Sequence, residues 1–169
     1  MRRAMARILI VGGGCRGRQL ARELAEGGHA VRVTTRSECN RAAIEASRAE
    51  CFIGTPDRLA TLRPALDGIT VACWLLAGAS GGEDEVAELH SSRLDAFVRQ
   101  LIDTTARGFV YERGARAGRW SDALARGERV VRERAEENVI PLAVLADDIR
   151  DRRAWLRGAR TAIAGLLGE

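Results

Sequence analysis

The chain has 169 residues, of which 46% are apolar and 30% are charged. This length is typical of one domain and the apolar share is enough for a packed core, so we expect a single domain over residues 1–169 and exclude a disordered chain. No apolar run approaches the roughly 18 residues that span a bilayer, and a short apolar stretch after the basic N-terminus is no signal peptide.

The positive charge of the chain is carried by arginine alone. There are 27 arginines and no lysine against 23 carboxylates, which gives a formal net charge of +4. The arginines are dispersed among acids, and aromatic residues make up only 4% of the chain. We therefore do not expect nucleic acid as a partner. The absence of lysine also excludes a Schiff base and a P-loop.

The cysteines and histidines are too few and too scattered for a metal centre. The four cysteines lie at positions 15, 39, 51 and 73, no two of them at C-x-x-C spacing, and the chain has two histidines. We expect no metal site. Without an export signal, free thiols in a reducing, cytoplasmic setting are expected.

Strand-like and helix-like segments alternate along the chain. The predicted strands cover Arg7–Val11, Ala30–Thr35, Cys51–Ile53, Ile69–Leu76, Phe109–Tyr111 and Val139–Leu145. The predicted helices cover Cys15–Glu26, Asn40–Glu50, a segment from Pro56, Glu83–Thr104, Ser121–Glu137 and a last segment from Asp151. In the helix from Pro56, Thr55 is the expected cap, and Leu59, Leu62 and Leu66 are expected to point inward. This order predicts an α/β fold of three layers, with a doubly wound parallel sheet of about six strands in the order 3-2-1-4-5-6. Pro141 favours a sheet edge for the sixth strand.

A glycine-rich loop lies between the first strand and the first helix. Gly12, Gly14 and Gly17 match the pattern G-x-G-x-x-G, and Gly13 makes three glycines consecutive. In this strand–loop–helix context the pattern is a dinucleotide fingerprint. Gly12 permits the tight turn, Gly14 lets backbone N–H groups reach a diphosphate, and Gly17 lets helix and strand pack closely. The alternative is a glycine-rich turn that binds no ligand.

The end of the second strand predicts which dinucleotide binds. An acid at this position would bind the ribose hydroxyls of NAD, whereas Arg36 suits the 2′-phosphate of NADP, with Thr35 and Ser37 as hydroxyl donors and Arg16 nearby. NADP is therefore expected, with NAD as the alternative because Glu38 follows closely. A methyltransferase-like site for S-adenosylmethionine is a third option, although it would also favour an acid here.

The sequence resembles the atypical short-chain dehydrogenase/reductases, in particular their NAD(P)-binding, epimerase-like and NmrA-like branches. The resemblance covers about the first 112 residues. It is carried by the glycine loop with Arg18, Leu20 and Ala21, by Gly28–Val31 and Thr35–Ser37, by Gly54 and Thr55, and by Ala65–Ile69 and Cys73–Gly78. It implies that Thr55 lies near the adenine and that Ala77 and Gly78 line the cofactor.

The sequence departs from this family where catalysis is concerned. The family's Tyr-x-x-x-Lys pair is absent because there is no lysine, and the only tyrosine, Tyr111, precedes Glu112 where a serine is expected. The chain also ends soon after the sixth strand, so we expect no C-terminal substrate-binding region. Tyr111 is the candidate proton donor if the protein is an enzyme.

Two further residues and two helix faces have a less specific interpretation. Cys15 at a helix N-terminus suggests redox sensing or simply a small loop residue. His90 is expected to be solvated or at an interface. The apolar faces of the long fourth helix and the last helix would support a homodimer or merely cover the sheet.

The leading hypothesis is a cofactor-binding, redox-sensing protein with an unidentified small-molecule substrate or protein partner. The alternative is an NADP-dependent oxidoreductase or epimerase-like enzyme. The predicted cofactor-binding residues are Gly12, Gly13, Gly14, Cys15, Arg16, Gly17, Thr35, Arg36, Ser37, Thr55, Leu76, Ala77 and Gly78.

Overall fold

The computed structural model describes residues 5–169. Six parallel strands form one sheet in the order β3-β2-β1-β4-β5-β6, which confirms the predicted fold class and strand order. The strands are β1 (Arg7–Gly12), β2 (Ala30–Thr35), β3 (Glu50–Ile53), β4 (Val71–Leu75), β5 (Gly108–Glu112) and β6 (Leu142–Leu145).

Helices cover both faces of this sheet. They are α1 (Gly14–Glu26), α2 (Arg41–Glu45), α3 (Glu83–Leu89), α4 (Ser92–Ile102), α5 (Ser121–Asn138) and α6 (Arg152–Leu167). α6 begins after Asp151, as expected, and Asp151 caps it, because its side chain accepts a hydrogen bond from the backbone N–H of Ala154. Within residues 5–169 no helix is long and apolar enough to cross a membrane.

The first strand shows why the sheet is buried on both faces. Ile8 and Ile10 belong to the core beneath α1 and α6, whereas Leu9 and Val11 belong to the core beneath α4 and α5. All four side chains are fully buried. A continuous apolar run of this kind is what a central parallel strand requires.

The helix predicted over Asn40–Glu50 is much shorter in the structure. A 3₁₀ turn covers Glu38–Asn40 and α2 ends at Glu45. The hydroxyl of Ser47 donates to the carbonyl of Ile44, and Arg48 adopts the left-handed conformation with φ of 63°. Both features end a helix, because a side chain competes for its carbonyl groups and the chain then turns away.

The prediction of a helix from Pro56 is wrong. Two 3₁₀ turns, Leu59–Thr61 and Arg63–Leu66, take its place. Pro64 explains the difference, since its ring removes a backbone N–H donor and clashes with the preceding turn of an α-helix. Leu62 and Leu66 are nevertheless buried, as the spacing of the apolar residues predicted.

The long helix predicted over Glu83–Thr104 is broken into α3 and α4. The break lies at His90 and Ser91, where the Ser91 hydroxyl donates to the carbonyl of Ala87 at 2.6 Å. His90 turns into the core and is fully buried. The expectation of a solvated or interface histidine is therefore wrong.

The sixth strand begins three residues later than predicted. Val139 adopts a left-handed conformation with φ of 53° and ends α5, and the N–H of Ile140 donates to the carbonyl of Ala135. β6 is an edge strand, as Pro141 indicated. The apolar faces of α4 and α6 cover the sheet, with Phe97 and Trp155 fully buried, so a homodimer through these faces stays a prediction.

Candidate functional site

The glycine loop joins β1 to α1 in a conformation that only glycine adopts readily. Gly12, Gly13 and Gly14 have φ values of +84°, +86° and +53°. A Cβ atom at Gly12 would lie 2.7 Å from the carbonyl oxygen of Leu75, and one at Gly17 would lie 2.8 Å from the carbonyl oxygen of Gly12. Gly17 therefore has the helix-packing role that the motif predicts.

The N-terminus of α1 presents free backbone N–H groups. The N–H of Gly17 donates to the carbonyl of Gly13 at 2.9 Å, whereas those of Gly14, Cys15 and Arg16 have no acceptor within residues 5–169. These three residues line a cleft of about 850 Å³. Unpaired N–H groups and the positive end of the helix dipole together favour an anion at this position.

The cleft lies at the carboxyl ends of the strands, where the strand order reverses between β1 and β4. Open parallel sheets bind ligands at this type of position. Most of the predicted cofactor-binding residues line it, namely Gly12, Gly13, Gly14, Cys15, Arg16, Thr35, Arg36, Thr55, Leu76 and Gly78. Gly17, Ser37 and Ala77 are not part of the lining. The Ser37 hydroxyl instead accepts a hydrogen bond from the N–H of Cys39, and Ala77 is buried.

One end of the cleft lies beyond β2 and β3, and we call it the Arg36 end. The Arg36 side chain is 73% exposed, and its Nη1 lies 3.9 Å from Oδ2 of Asp57. Glu38 does not line this end, because its carboxylate binds the guanidinium of Arg41 at 2.9 Å. Asp57 lies in the loop after β3, and the sequence analysis did not find it.

The other end of the cleft lies beyond β4 and β5, and we call it the Arg16 end. Arg16 was expected to lie near Arg36, but its side chain points to this other end of the cleft. Its Nη1 donates to the carbonyl of Ile149 at 3.1 Å, its Nη2 lies 3.5 Å from Oε2 of Glu112, and its guanidinium lies 5.0 Å from the centre of the Trp155 ring. The side chain therefore extends across the end of the sheet toward α6.

Glu112 is a buried carboxylate that the sequence analysis did not identify as a functional residue. It is fully buried and accepts hydrogen bonds from the N–H of Ala77 at 2.8 Å and from Nε1 of Trp155 at 2.6 Å. Burial raises its pKa, and the charge of Arg16 with these two donors opposes that shift. Glu112 thereby connects β5 to α1, to α6 and to Ala77, two residues beyond the end of β4.

Tyr111, the candidate proton donor, points away from the cleft into the core. Its hydroxyl lies 2.9 Å from Nδ1 of His90 and 3.1 Å from the carbonyl of Leu124, and the side chain is fully buried. Burial raises its pKa well above 10 and lowers that of His90 to about 4. These two groups form a buried polar pair between β5, α3 and α5.

Groups of three or more His, Cys, Asp or Glu side chains that could hold a metal ion are absent from the described part of the chain. Cys15 is exposed at the cleft, where Nη2 of Arg18 lies 3.1 Å from its sulfur.

No protein-family model and no curated protein matches the chain. Solved structures do match. UDP-glucose 4-epimerase from Thermotoga maritima, solved with UDP-glucose, is 16% identical with a TM-score of 0.69, and the match covers 83% of this chain and 54% of that one. A mutant UDP-glucuronic acid 4-epimerase from Bacillus cereus, solved with a fluorinated sugar nucleotide and NAD, is 16% identical with a TM-score of 0.66, over 83% and 55% of the two chains.

A third solved structure, AtPrR2 with NADP⁺ and (+)-pinoresinol, is 17% identical with a TM-score of 0.64, over 84% of this chain and 49% of that one. The chain thus spans about half the length of these structures. At these identities the likeness shows the fold. The strand order, the glycine loop and these matches together identify the chain as a protein with the Rossmann fold, which it shares with these structures solved with NAD and with NADP⁺.

Proposed function

We propose that the chain binds NADP(H) in the cleft and acts as a cofactor-binding, redox-sensing protein. The observation that carries the proposal is the row of N–H groups of Gly14, Cys15 and Arg16, which line the cleft at the start of α1 and are unpaired among the residues that the structure describes. A diphosphate supplies the oxygen acceptors and the negative charge that such a helix terminus lacks.

The preference for NADP rests on the charge at the Arg36 end. Arg36 lines the cleft, is mostly exposed and has only a loose ion pair with Asp57 among the described residues, so its guanidinium can make a forked contact with a 2′-phosphate. Glu38, the acid that could have favoured NAD, is held outside the cleft by Arg41. NADPH should therefore bind more tightly than NADH.

A binding role rather than a reductase role rests on two features of the chain. The sequence has no lysine, so it has no Tyr-Lys pair in which a lysine would lower the pKa of a tyrosine. The only tyrosine is buried and its hydroxyl is bonded to His90, so it does not reach a ligand in the cleft. A bound dinucleotide would then act by its redox state, through a contact that NADPH and NADP⁺ affect differently.

Calorimetric titration with NADPH, NADH and S-adenosylmethionine tests the binding proposal. We expect NADPH to bind best and Arg36→Ala to weaken it by about 1 to 3 kcal/mol, the scale of a hydrogen bond to a charged group, while NADH binding changes little. Arg99→Ala is the matched control, because Arg99 is an exposed arginine in an ion pair on α4 and lies outside the cleft. Equal losses for NADPH and NADH in Arg36→Ala would contradict the phosphate contact.

Turnover separates a sensor from an enzyme. NADPH oxidation with a panel of carbonyl compounds, followed by absorbance, should be absent from a protein that binds NADPH tightly. Turnover that survives in Tyr111→Phe would point to an oxidoreductase that takes its proton from water or from another residue.

A further inference from the structure

The Arg36 end of the cleft holds a carboxylate as well as a guanidinium. Asp57 lines the cleft with Arg36, and its side chain is 53% exposed. The 3.9 Å separation between Nη1 of Arg36 and Oδ2 of Asp57 makes a loose, solvated ion pair. Pairs of this kind contribute little to stability, so a ligand can separate them at low cost.

Asp57 has several hydrogen bonds besides its ion pair with Arg36. Its N–H donates to the hydroxyl of Thr55 at 3.2 Å, and its carbonyl accepts from Nη1 of Arg93 at 2.6 Å. The same guanidinium nitrogen donates to the carbonyl of Pro56 at 3.2 Å. Arg93, from α4, therefore holds this loop against the cleft, and the Thr55 hydroxyl donates to Oδ2 of the Asp57 carboxylate at 3.3 Å.

The two side chains favour different dinucleotides. A guanidinium binds the 2′-phosphate of NADP, whereas a carboxylate accepts hydrogen bonds from the ribose hydroxyls of NAD and repels a phosphate. Glu38 does not take the second role, because its carboxylate is bound to Arg41 outside the cleft. Asp57 is therefore the acid nearest to the phosphate-binding arginine.

We propose that Arg36 and Asp57 together set the cofactor specificity of the site, Arg36 binding the 2′-phosphate of NADP and Asp57 binding the 2′-hydroxyl of NAD. The inference rests on the proposed function, since it concerns the same dinucleotide. Its consequence is a site that accepts both cofactors, with a preference for NADP that Asp57 reduces.

Titration of NADPH and NADH into wild type and Asp57→Asn tests the inference. Asparagine has nearly the same shape but no charge. We expect NADPH to bind about fivefold more tightly to the variant and NADH about fivefold more weakly, each change being the size of one charge contact at an exposed site. Glu38→Gln is the matched control, because it removes an exposed acid two residues from Arg36 that does not line the cleft. It should leave the ratio of the two affinities unchanged.

The outcomes separate this inference from the proposal on which it rests. If wild type binds neither dinucleotide, both fail. If wild type binds NADPH but Asp57→Asn changes the two affinities equally or not at all, only the role of Asp57 is overturned. If Glu38→Gln shifts the ratio and Asp57→Asn does not, Glu38 is the ribose-binding acid instead.

Discussion

The two ends of the cleft each hold an arginine, but the environments of these arginines are opposite. At the Arg36 end the side chain is 73% exposed, and its one ion-pair partner within residues 5–169, Asp57, is 3.9 Å away. At the Arg16 end the side chain is 17% exposed and lies between Glu112, the ring of Trp155 and the carbonyl of Ile149. An exposed, loosely paired arginine remains available to a ligand. An arginine that contacts several partners contributes instead to the stability of the fold.

This difference means that the same residue type has two roles within one site. Replacing a residue of the Arg16 end should change mainly the free energy of unfolding. Replacing a residue of the Arg36 end should change mainly the affinity for nucleotide, because surface side chains away from a buried network contribute little to stability.

The largest effect is expected for Glu112→Ala. Removal of the carboxylate leaves Nη2 of Arg16 without its ion-pair partner, and the N–H of Ala77 and Nε1 of Trp155 without their acceptor, so the free energy of unfolding in urea should fall by about 3 to 5 kcal/mol. Arg36→Ala is the control and should stay within about 0.5 kcal/mol of wild type. Similar losses in both variants would contradict the distinction between the two ends.

A smaller loss of stability is expected for a substitution in the glycine loop, which lies between the two ends of the cleft. A Cβ atom at Gly17 would lie 2.8 Å from the carbonyl oxygen of Gly12, so Gly17→Ala should destabilise the protein by about 1 to 3 kcal/mol and weaken NADPH binding. Gly165→Ala is the matched control, since Gly165 also lies in a helix but has open space around its Cβ position. It should stabilise the protein slightly, by about 0.5 to 1 kcal/mol. Thermal unfolding with titration of each variant checks both.

The smallest effect is a dependence of stability on pH that arises from His90, which is buried in the core beside Tyr111. Burial lowers the pKa of His90 from 6.5 to about 4, although a hydrogen bond with the carbonyl of Leu76 raises it. Above pH 6.5 the ring is neutral in both folded and unfolded protein. Between pH 6.5 and 4 only the unfolded chain takes up the proton, so the unfolding free energy falls, by at most about 1.4 kcal/mol per pH unit.

Urea unfolding at pH 7 and at pH 5 measures this dependence. The loss between the two values should be smaller in His90→Gln than in wild type, by about 1 to 2 kcal/mol. An identical loss in the variant would mean that His90 is not the titrating group.

The segment from β1 through the glycines to α1 could be predicted from the sequence because its signals are local. The apolar run, the three glycines and the apolar helix face with Leu20 and Leu24 lie within the first 26 residues. Each of these patterns by itself predicts one element of the segment: the strand, the loop or the helix. The absence of a helix after Pro56 was also within reach, since Pro64 is a visible helix breaker.

The partners of Arg16 and Glu112 could not be predicted because they come together only in the folded chain. Glu112 bonds to residues 35 and 43 positions away, and Arg16 to a carbonyl 133 positions away. Sequence spacing carries no information about such contacts. The same reason applies to Asp57, which meets Arg36 only because β3 pairs with β2.

The central claim is that the amides of the glycine loop bind a diphosphate, and a crystal structure grown with saturating NADPH tests it most directly. We expect diphosphate oxygens at about 2.7 to 3.2 Å from the backbone nitrogens of Gly14, Cys15 and Arg16, with the 2′-phosphate against Arg36. A cleft that admits no dinucleotide at saturating NADPH, or a dinucleotide bound elsewhere on the chain, would contradict the claim.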